Sequence, residues 1–304
     1  MASRKIVFIV NPNAAMGSTG KEWPQIEKMA RDRLGTFTAH LTTGPEDATV
    51  LTRNALHKDA DLVVCVGGDG TLNEVVNGFM GKNGPIRPEA MVGFIPRGTG
   101  CDFIKTVPIP VELNRSLDII ITSHTRSIDL GRLEYMDHHG HPSSRYFHNI
   151  TSFGLGGEVD ERVNRSAKIF GGFISFILST LISILIYNKK RIHLTVDNCF
   201  DQSVMIWNVV VANGQYHGGG MWVAPRAAVD DGLFHVTIIG DFSLGEVFWN
   251  LPKLYNGKLV QLKKVKTLVG KRVKASSDQQ VLLDVDGEQP GRLPAVIDIV
   301  PKAV

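Results

Sequence analysis

Cysteine is scarce in this chain: Cys65, Cys101 and Cys199 are the only three among 304 residues. Their number is odd and they lack metal-ligand spacing. That argues against a disulfide scaffold and for a reducing cytoplasm. An excess of one charge is also missing. A net charge of +3 is too small to imply a nucleic-acid partner. The glycine-rich turn at 67–70 is followed by no Lys-Ser/Thr, so it is not a P-loop, and it lacks the Rossmann glycine spacing. The start of the chain is basic, but its apolar run is short and meets Asn11-Pro12-Asn13. It reads as a first strand and not as a signal peptide. What remains is a globular composition, 43% apolar and 21% charged. A chain this long can bury a large core and form one or two domains.

The rest is organised around residues 62–77, LVVCVGGDGTLNEVVN. Leu62, Val63, Val64, Cys65 and Val66 form a short β-branched run, suited to a strand buried on both faces of a parallel sheet. Gly67, Gly68 and Gly70 let the backbone turn tightly and approach a ligand. Leu72, Val75, Val76 and Phe79 then recur at helical spacing. Thr71 reads as an N-cap, with Glu74 completing a capping box. A strand, a glycine turn and a helix start gather N–H groups and the positive helix end at one point, which suits phosphate. Asp69 would repel a bare phosphate, so its presence points to a divalent cation between the two.

The string GGDGTLNEV resembles the nucleotide-binding loop of the diacylglycerol kinase catalytic-domain family, which includes sphingosine kinases and soluble bacterial lipid kinases. More distantly it looks like the GGDGT loop of NAD kinases and phosphofructokinases. A second loop, Pro96-Arg97-Gly98-Thr99-Gly100-Cys101-Asp102, is similar to the family's Pro-x-Gly-Thr-x-Asn-Asp, with Cys101 in place of the Asn. Residues 11–17 resemble an Asn-Pro-x-Ser-Gly-like signature, with Ala14-Ala15 near the usual Ser-Gly. The resemblance implies nucleotide contacts at Asn11, Pro12, Asn13, Gly17, Thr43, Gly67, Gly68, Asp69, Gly70, Thr71, Asn73, Glu74, Gly98 and Thr99. It implies Mg²⁺ held largely through water by Asp69, Asp102 and Asp129. On residues alone, Asp129 is an ordinary turn residue.

Strand and helix alternate up to 122, which argues for a parallel α/β sheet. Ser18 or Thr19 could cap the first helix. Strand-like segments with few helices follow from about residue 129, which suggests an antiparallel sheet or sandwich. The expected fold is an α/β N-terminal domain with a parallel Rossmann-like sheet, like NAD kinase and phosphofructokinase, plus a C-terminal antiparallel β-sandwich-like domain with helices. The first is placed at 1–130 and completed by 293–304; the second, lipid-substrate domain at 131–292. Gly154-Leu155-Gly156-Gly157 reads as a helix-start turn near the lipid cleft.

Residues 169–187, IFGGFISFILSTLISILIY, approach the roughly 20 residues that span a bilayer. Yet Ser175, Ser179 and Ser183 share one helix face, Gly171-Gly172 weakens the first turn, and motifs lie on both sides. The segment reads as a helix in the lipid-facing wall or in the interface plane, with a buried core helix as the alternative. Residues 213–231 resemble the family's Asn-Gly…Gly-Gly-Gly-Met…Ala-Pro…Asp-Asp-Gly motif. The resemblance implies a structural cation site of Ala228, Asp231 and Leu233; without it, a β-turn is the simpler reading. Residues 253–274 are basic with no acid, suited equally to a solvated face or an anionic membrane. The string DVDGE ends in Asp286-Gly287-Glu288, by itself a hairpin turn and in the family the catalytic acid pair.

Phosphoryl transfer needs positioning, charge neutralisation and a base. The resemblance implies an ATP-dependent kinase for diacylglycerol or a related lipid, with ATP and Mg²⁺ as cofactors. It implies a cytoplasmic protein in peripheral contact with an anionic membrane. Asp286 is favoured as base with Glu288 adjacent, and Asp69 competes. An NAD kinase and a nucleotide-binding regulator without turnover are the other readings. The sequence is silent on oligomeric state, and a homodimer stays open.

Overall fold

Ile6–Val10 (β1) and Leu62–Gly67 (β3) are unbroken apolar runs, and each is buried along its whole length. Such runs belong at the centre of a sheet covered on both faces. In the computed structural model, which describes residues 4–122, 124–166, 180 and 182–304, they lie side by side. Thr38–Leu41 (β2) and Met91–Pro96 (β6) flank them; a short hairpin, Met80–Gly81 (β4) with Gly84–Pro85 (β5), precedes β6. The order β2-β1-β3-β6 is parallel throughout, with Val10 opposite Leu41 and Val66, and Val66 opposite Ile95.

Side chains alternate across this sheet. Phe8, Val10, Val64, Val66 and Ile95 meet Trp23, Ile26 and Ala30 of Ser18–Leu34 (α1) and Leu117 and Ile120 of Leu113–Thr122. Val7, Ile9, Val63 and Cys65, the alternate set, are buried too. Asp47–His57 (α2) contacts β1, and Asp69–Phe79 (α3) contacts β3 through its buried Leu72, Val75, Val76 and Phe79.

The chain divides into two compact units, Met1–Ile128 with Lys302–Val304, and Asp129–Pro301. Strands of the second are Leu130–Asp137 (β7), Pro142–Phe147 (β8), Ile150–Gly154 (β9), Lys190–Val196 (β10), Phe200–Ile206 (β11) and Asn208–Ala212 (β12). They continue with Tyr216–His217 (β13), Met221–Trp222 (β14), Phe234–Ile239 (β15), Val265–Gly270 (β16), Arg272–Ser276 (β17), Leu283–Val285 (β18) and Gly291–Val300 (β19). Among the described residues these form two large antiparallel sheets, one of six strands ordered β11-β10-β17-β19-β7-β8 and one of five ordered β16-β15-β12-β9-β18, with β13 and β14 paired in a separate two-stranded ribbon.

The sheets share one core, as sandwiches do. Leu133, Leu194, Val273 and Ile297 of the first meet Phe153, Val209, Val211, Val236 and Leu283 of the second. Phe147 stacks on Phe234 with centroids 5.7 Å apart. The run of β12 is buried at every position because Val210 and Ala212 face a second core with Trp207, Val223 and Phe242. By contrast β17 alternates, with Val273 and Ala275 inside and Arg272, Lys274 and Ser276 outside.

Residues 293–300, expected to complete the first domain, instead pair with β7 and β17 inside the second unit; Lys302–Val304 alone fall in the first. Most of 169–187 lies outside the described residues. Within it, 182–186 are helical, and among the described residues no helix is long and apolar enough to cross a membrane.

Candidate active site

In the first unit, the loops after β1, β3 and β6 all leave the carboxyl ends of parallel strands. In open α/β sheets that is where ligands bind. Side chains and backbone join these loops. The Asn11 amide nitrogen donates to Thr71 Oγ1 at 3.0 Å, and Thr19 Oγ1 donates to the Arg97 carbonyl at 3.1 Å. The Arg97 N–H donates to the Gly67 carbonyl at 2.6 Å. A Cβ on Gly98 would stand 2.5 Å from Gly68 Cα, and one on Gly68 would stand 3.1 Å from Gly98 Cα. The two glycine loops therefore touch backbone to backbone, which no other residue permits there.

Asp69 adds a polar rivet. Its carboxylate accepts the Asp102 N–H at 2.8 Å and the Phe103 N–H at 3.4 Å. It sits in the first turn of α3, whose leading N–H groups have no acceptor within the helix. Asp102 is buried and pairs with Lys105 Nζ at 2.6 Å.

Several local expectations give way to longer-range contacts. Thr71 does not cap α3: the helix begins at Asp69, with Gly68 as N-cap and no side-chain cap bond. Glu74 instead reaches back to α2, accepting the Glu46 and Ala48 N–H groups at 2.9 and 3.0 Å. Neither Ser18 nor Thr19 caps α1, whose N-cap is the left-handed Gly17. Asn73 is buried and its amide oxygen accepts from the Asn77 amide at 3.1 Å. Thr43 bonds Asp47 through its N–H at 2.7 Å and its hydroxyl at 3.0 Å, while Asn11 Oδ1 accepts the Asn13 N–H at 3.0 Å and Gly20 N–H donates to the Pro12 carbonyl at 3.0 Å. At two of the positions that depart from the family pattern the backbone is left-handed: φ is 48° at Ala15 and 45° at Cys101. Cys101 lies close to Asp69; burial first, then the Asp69 charge, push its thiol up to about 11, so it stays neutral.

In the second unit, Val285-Asp286-Gly287-Glu288 is a tight turn. The Val285 N–H donates to the Glu288 carbonyl at 2.8 Å, and the Glu288 N–H returns to Val285 at 3.0 Å. Asp286 (φ 49°) and Gly287 (φ 87°) are both left-handed, as an Asp-Gly hairpin turn of type I′ requires. The two acids part here. Asp286 is wholly buried, 2.8 Å from the equally buried His148 Nδ1. It also accepts the N–H groups of His148, Asn149 and Ile150 at 3.0, 3.2 and 2.8 Å. Burial alone would push its carboxyl up. The His148 charge and these bonds outweigh burial and hold it below the usual aspartate range. Glu288 is 43% exposed at its side chain and bonds Arg145 Nη1 at 2.9 Å.

Asn213, buried, donates to the Asp129 and His148 carbonyls at 2.8 Å each. Gly218, Gly219 and Gly220 form the left-handed turn between β13 and β14, where Tyr216 stacks on Trp222. Asp129 is buried; its carboxylate accepts the Gly232 N–H at 2.6 Å, and its own N–H donates to Val229 at 2.6 Å. Asp231 accepts the Leu233 N–H at 3.0 Å, and Ala228 lies in the same loop. Gly154-Leu155-Gly156-Gly157 does open a helix, Leu155–Ser166. Gly157 is there for close packing: a Cβ on it would meet the Leu282 carbonyl carbon at 2.5 Å. That helix brings Asp160 to Asp284. Burial, then the Asp284 charge and a hydrogen bond with it, push the Asp160 carboxyl well above the ordinary range. Asp284 accepts from Ser152 Oγ at 3.0 Å. His148 and Asp160 carried no local signal in the sequence, and Asp284 opens the DVDGE string without being singled out there.

Two family models cover the chain: the diacylglycerol kinase catalytic domain over 5–133, and the YegS C-terminal NAD kinase beta sandwich-like domain over 149–304. A diacylglycerol kinase of Staphylococcus aureus (strain MRSA252) is 30% identical over 296 residues, 95% of this chain and 87% of that protein. Another, of Staphylococcus carnosus, is 29% identical over 290 residues, 95% of this chain and 90% of that protein. In fold, a crystal structure of a diacylglycerol kinase from Bacillus anthracis matches with a TM-score of 0.77 at 22% identity, over 100% of this chain and 96% of that one. Yeast NADH kinase complexed with NADH matches with a TM-score of 0.50 at 15% identity, over 99% and 79%. Relatives thus match the chain along nearly its full length, in sequence and in fold. The chain belongs to the diacylglycerol kinase catalytic-domain family.

Proposed function

We propose that this protein is an ATP-dependent lipid kinase that phosphorylates the hydroxyl of diacylglycerol or a related lipid. The observation that carries the reading is the contact of Gly68 with Gly98, which brings two Cβ-free loops to the carboxyl edge of a parallel sheet. In this reading the N–H groups of 67–70 and 98–99 receive the phosphates, beside the N-terminus of α3. Asn11, Thr19 and Asp69 fix the loops in place. Glu288 is the base for the acceptor hydroxyl, since it is the accessible acid of its turn. Asp286 positions the turn from beneath, and Arg145 orients the Glu288 carboxylate.

Among the described residues, no three His, Cys, Asp or Glu side chains gather as a direct metal site. The donors fit a magnesium ion that keeps its water shell, as Mg²⁺ commonly does. Bound ATP and Mg²⁺ would supply the transferable phosphoryl group and its charge neutralisation. Asp231, with the carbonyls of Ala228 and Leu233, is read as a separate structural cation site. There, added Mg²⁺ raises the melting temperature of wild type and not of Asp231→Asn; equal melting of both, with and without Mg²⁺, removes that site. The protein is read as cytoplasmic and peripheral to the membrane.

The test of activity is ADP release with diacylglycerol in mixed micelles, with sphingosine, ceramide, phosphatidylglycerol, monoacylglycerol and NAD as parallel acceptors. Turnover with a lipid supports the reading. Turnover with NAD alone makes it an NAD kinase, and none with any acceptor makes it a nucleotide-binding regulator.

A further inference from the structure

The helix Leu244–Asn250 and the turn Leu251–Leu254 lie over the outer face of the five-stranded sheet. On their inner side Val247, Leu251 and Leu254 pack against the core that holds Ile150, Trp207, Val210 and Phe242. Their outer side is apolar as well. Leu244 is 44% exposed, Phe248 39%, Trp249 83% and Tyr255 54%. A helix with one buried apolar face ordinarily turns polar residues outward. Here four large apolar or aromatic side chains occupy the outer positions instead.

The helix is well anchored. Ser243 and Glu246 form a capping box, and Glu246 bonds Lys264 Nζ at 2.7 Å. Neighbouring acids are spoken for: Glu246 pairs with Lys264, and Asp241 with Lys189. Lys253 and Lys258 stand on either side of Tyr255, and among the described residues neither they nor Lys263 has an acidic partner. No Asp or Glu occurs from 247 to 277. The patch is therefore aromatic in the middle and of one charge around it. Protein–protein interfaces favour aromatics but are depleted in lysine. Bilayer interfaces take both, with amphipathic rings at headgroup level and lysine stems reaching to phosphate.

We propose that this face docks on an anionic bilayer. Phe248 and Trp249 enter the headgroup–acyl boundary, and Lys253 and Lys258 meet lipid phosphates. The proposal rests on the lipid-kinase reading and names the surface by which the enzyme reaches its membrane.

The experiment is sedimentation of the full chain with phosphatidylcholine vesicles, with and without phosphatidylglycerol. Wild type binds the anionic vesicles, and salt weakens the binding. Trp249→Ala binds about tenfold more weakly, from the apolar area it no longer buries. The double change Lys253→Gln, Lys258→Gln loses about 25-fold, because each lysine near an anionic surface is worth about fivefold. The melting temperature and turnover on a water-soluble short-chain acceptor stay at wild-type values. Wild-type binding by Trp249→Ala overturns the proposal. So does a change from dimer to monomer on that substitution, which makes the face an interface between copies. If wild type binds through Trp249 but phosphorylates no lipid, the docking face stands and the activity reading falls. If lipid in micelles is phosphorylated and Trp249→Ala binds normally, the reverse holds.

Discussion

Replacing Asp286 by Asn keeps the volume and removes one charge. In the folded chain that charge is fully buried, 2.8 Å from a fully buried His148, and three backbone N–H groups point at it. The amide oxygen of Asn can still accept from some of these donors, but its NH₂ group faces others. Breaking a buried ion pair by removing one partner costs about 3–5 kcal/mol. For a unit of roughly 150–250 residues each kcal/mol lowers the melting temperature by about 2–4 °C, so the drop is roughly 10 °C. The effect has a definite pH dependence. The folded pKa of Asp286 is depressed, so its contribution is complete above the unfolded value of about 3.9 and is lost as pH falls through the folded value. The gap between wild type and Asp286→Asn should therefore be full at neutral pH and close below about pH 4. The informative control is Glu288→Gln. Glu288 is 43% exposed, so its loss should leave stability within about 0.5 kcal/mol. As the base it should cost about 10²–10⁴-fold in turnover. Calorimetry and the micelle kinase assay, run on both variants, separate structure from chemistry. An Asp286→Asn protein that melts with wild type and yet has lost turnover refutes the argument and returns the base role to Asp286.

Three further outcomes follow from the first unit. Gly98→Ala places a Cβ 2.5 Å from Gly68 Cα, so the glycine loops must part; nucleotide affinity, read by titration calorimetry, should fall at least ~10-fold. Cys101→Asn puts a residue that tolerates the left-handed region where φ is 45°, and should raise stability by about 0.5–1 kcal/mol in denaturant titration. Glu74→Ala strips two N–H acceptors from the start of α2 and should cost about 0.5–2 kcal/mol, with exchange protection lost first at residues 46–48.

Much was legible in the order of residues. The β-branched runs at 6–10 and 62–67 marked central strands, because burial on both faces needs apolar side chains at every position. The glycines of 67–70 and 98–100 announced close backbone approach, and Asp286-Gly287 announced a turn. These are short-range matters, fixed by neighbours within a few positions. What the chain order could not say is what lies on the other side of each contact. Glu74 looked like the partner of Thr71 three residues away, yet it caps a helix 26 and 28 residues earlier. Thr19 looked like a cap and is a tie to the loop 78 residues on. Residues 293–300 were expected in the first domain, and only their pairing with β7 and β17 put them in the second. Asp286 and Glu288 are two positions apart and chemically alike. His148, 138 residues from Asp286, takes one out of solvent and leaves the other in it. Local spacing set the elements and the turns; burial, and with it the charge and availability of each acid, arose only when distant segments packed together.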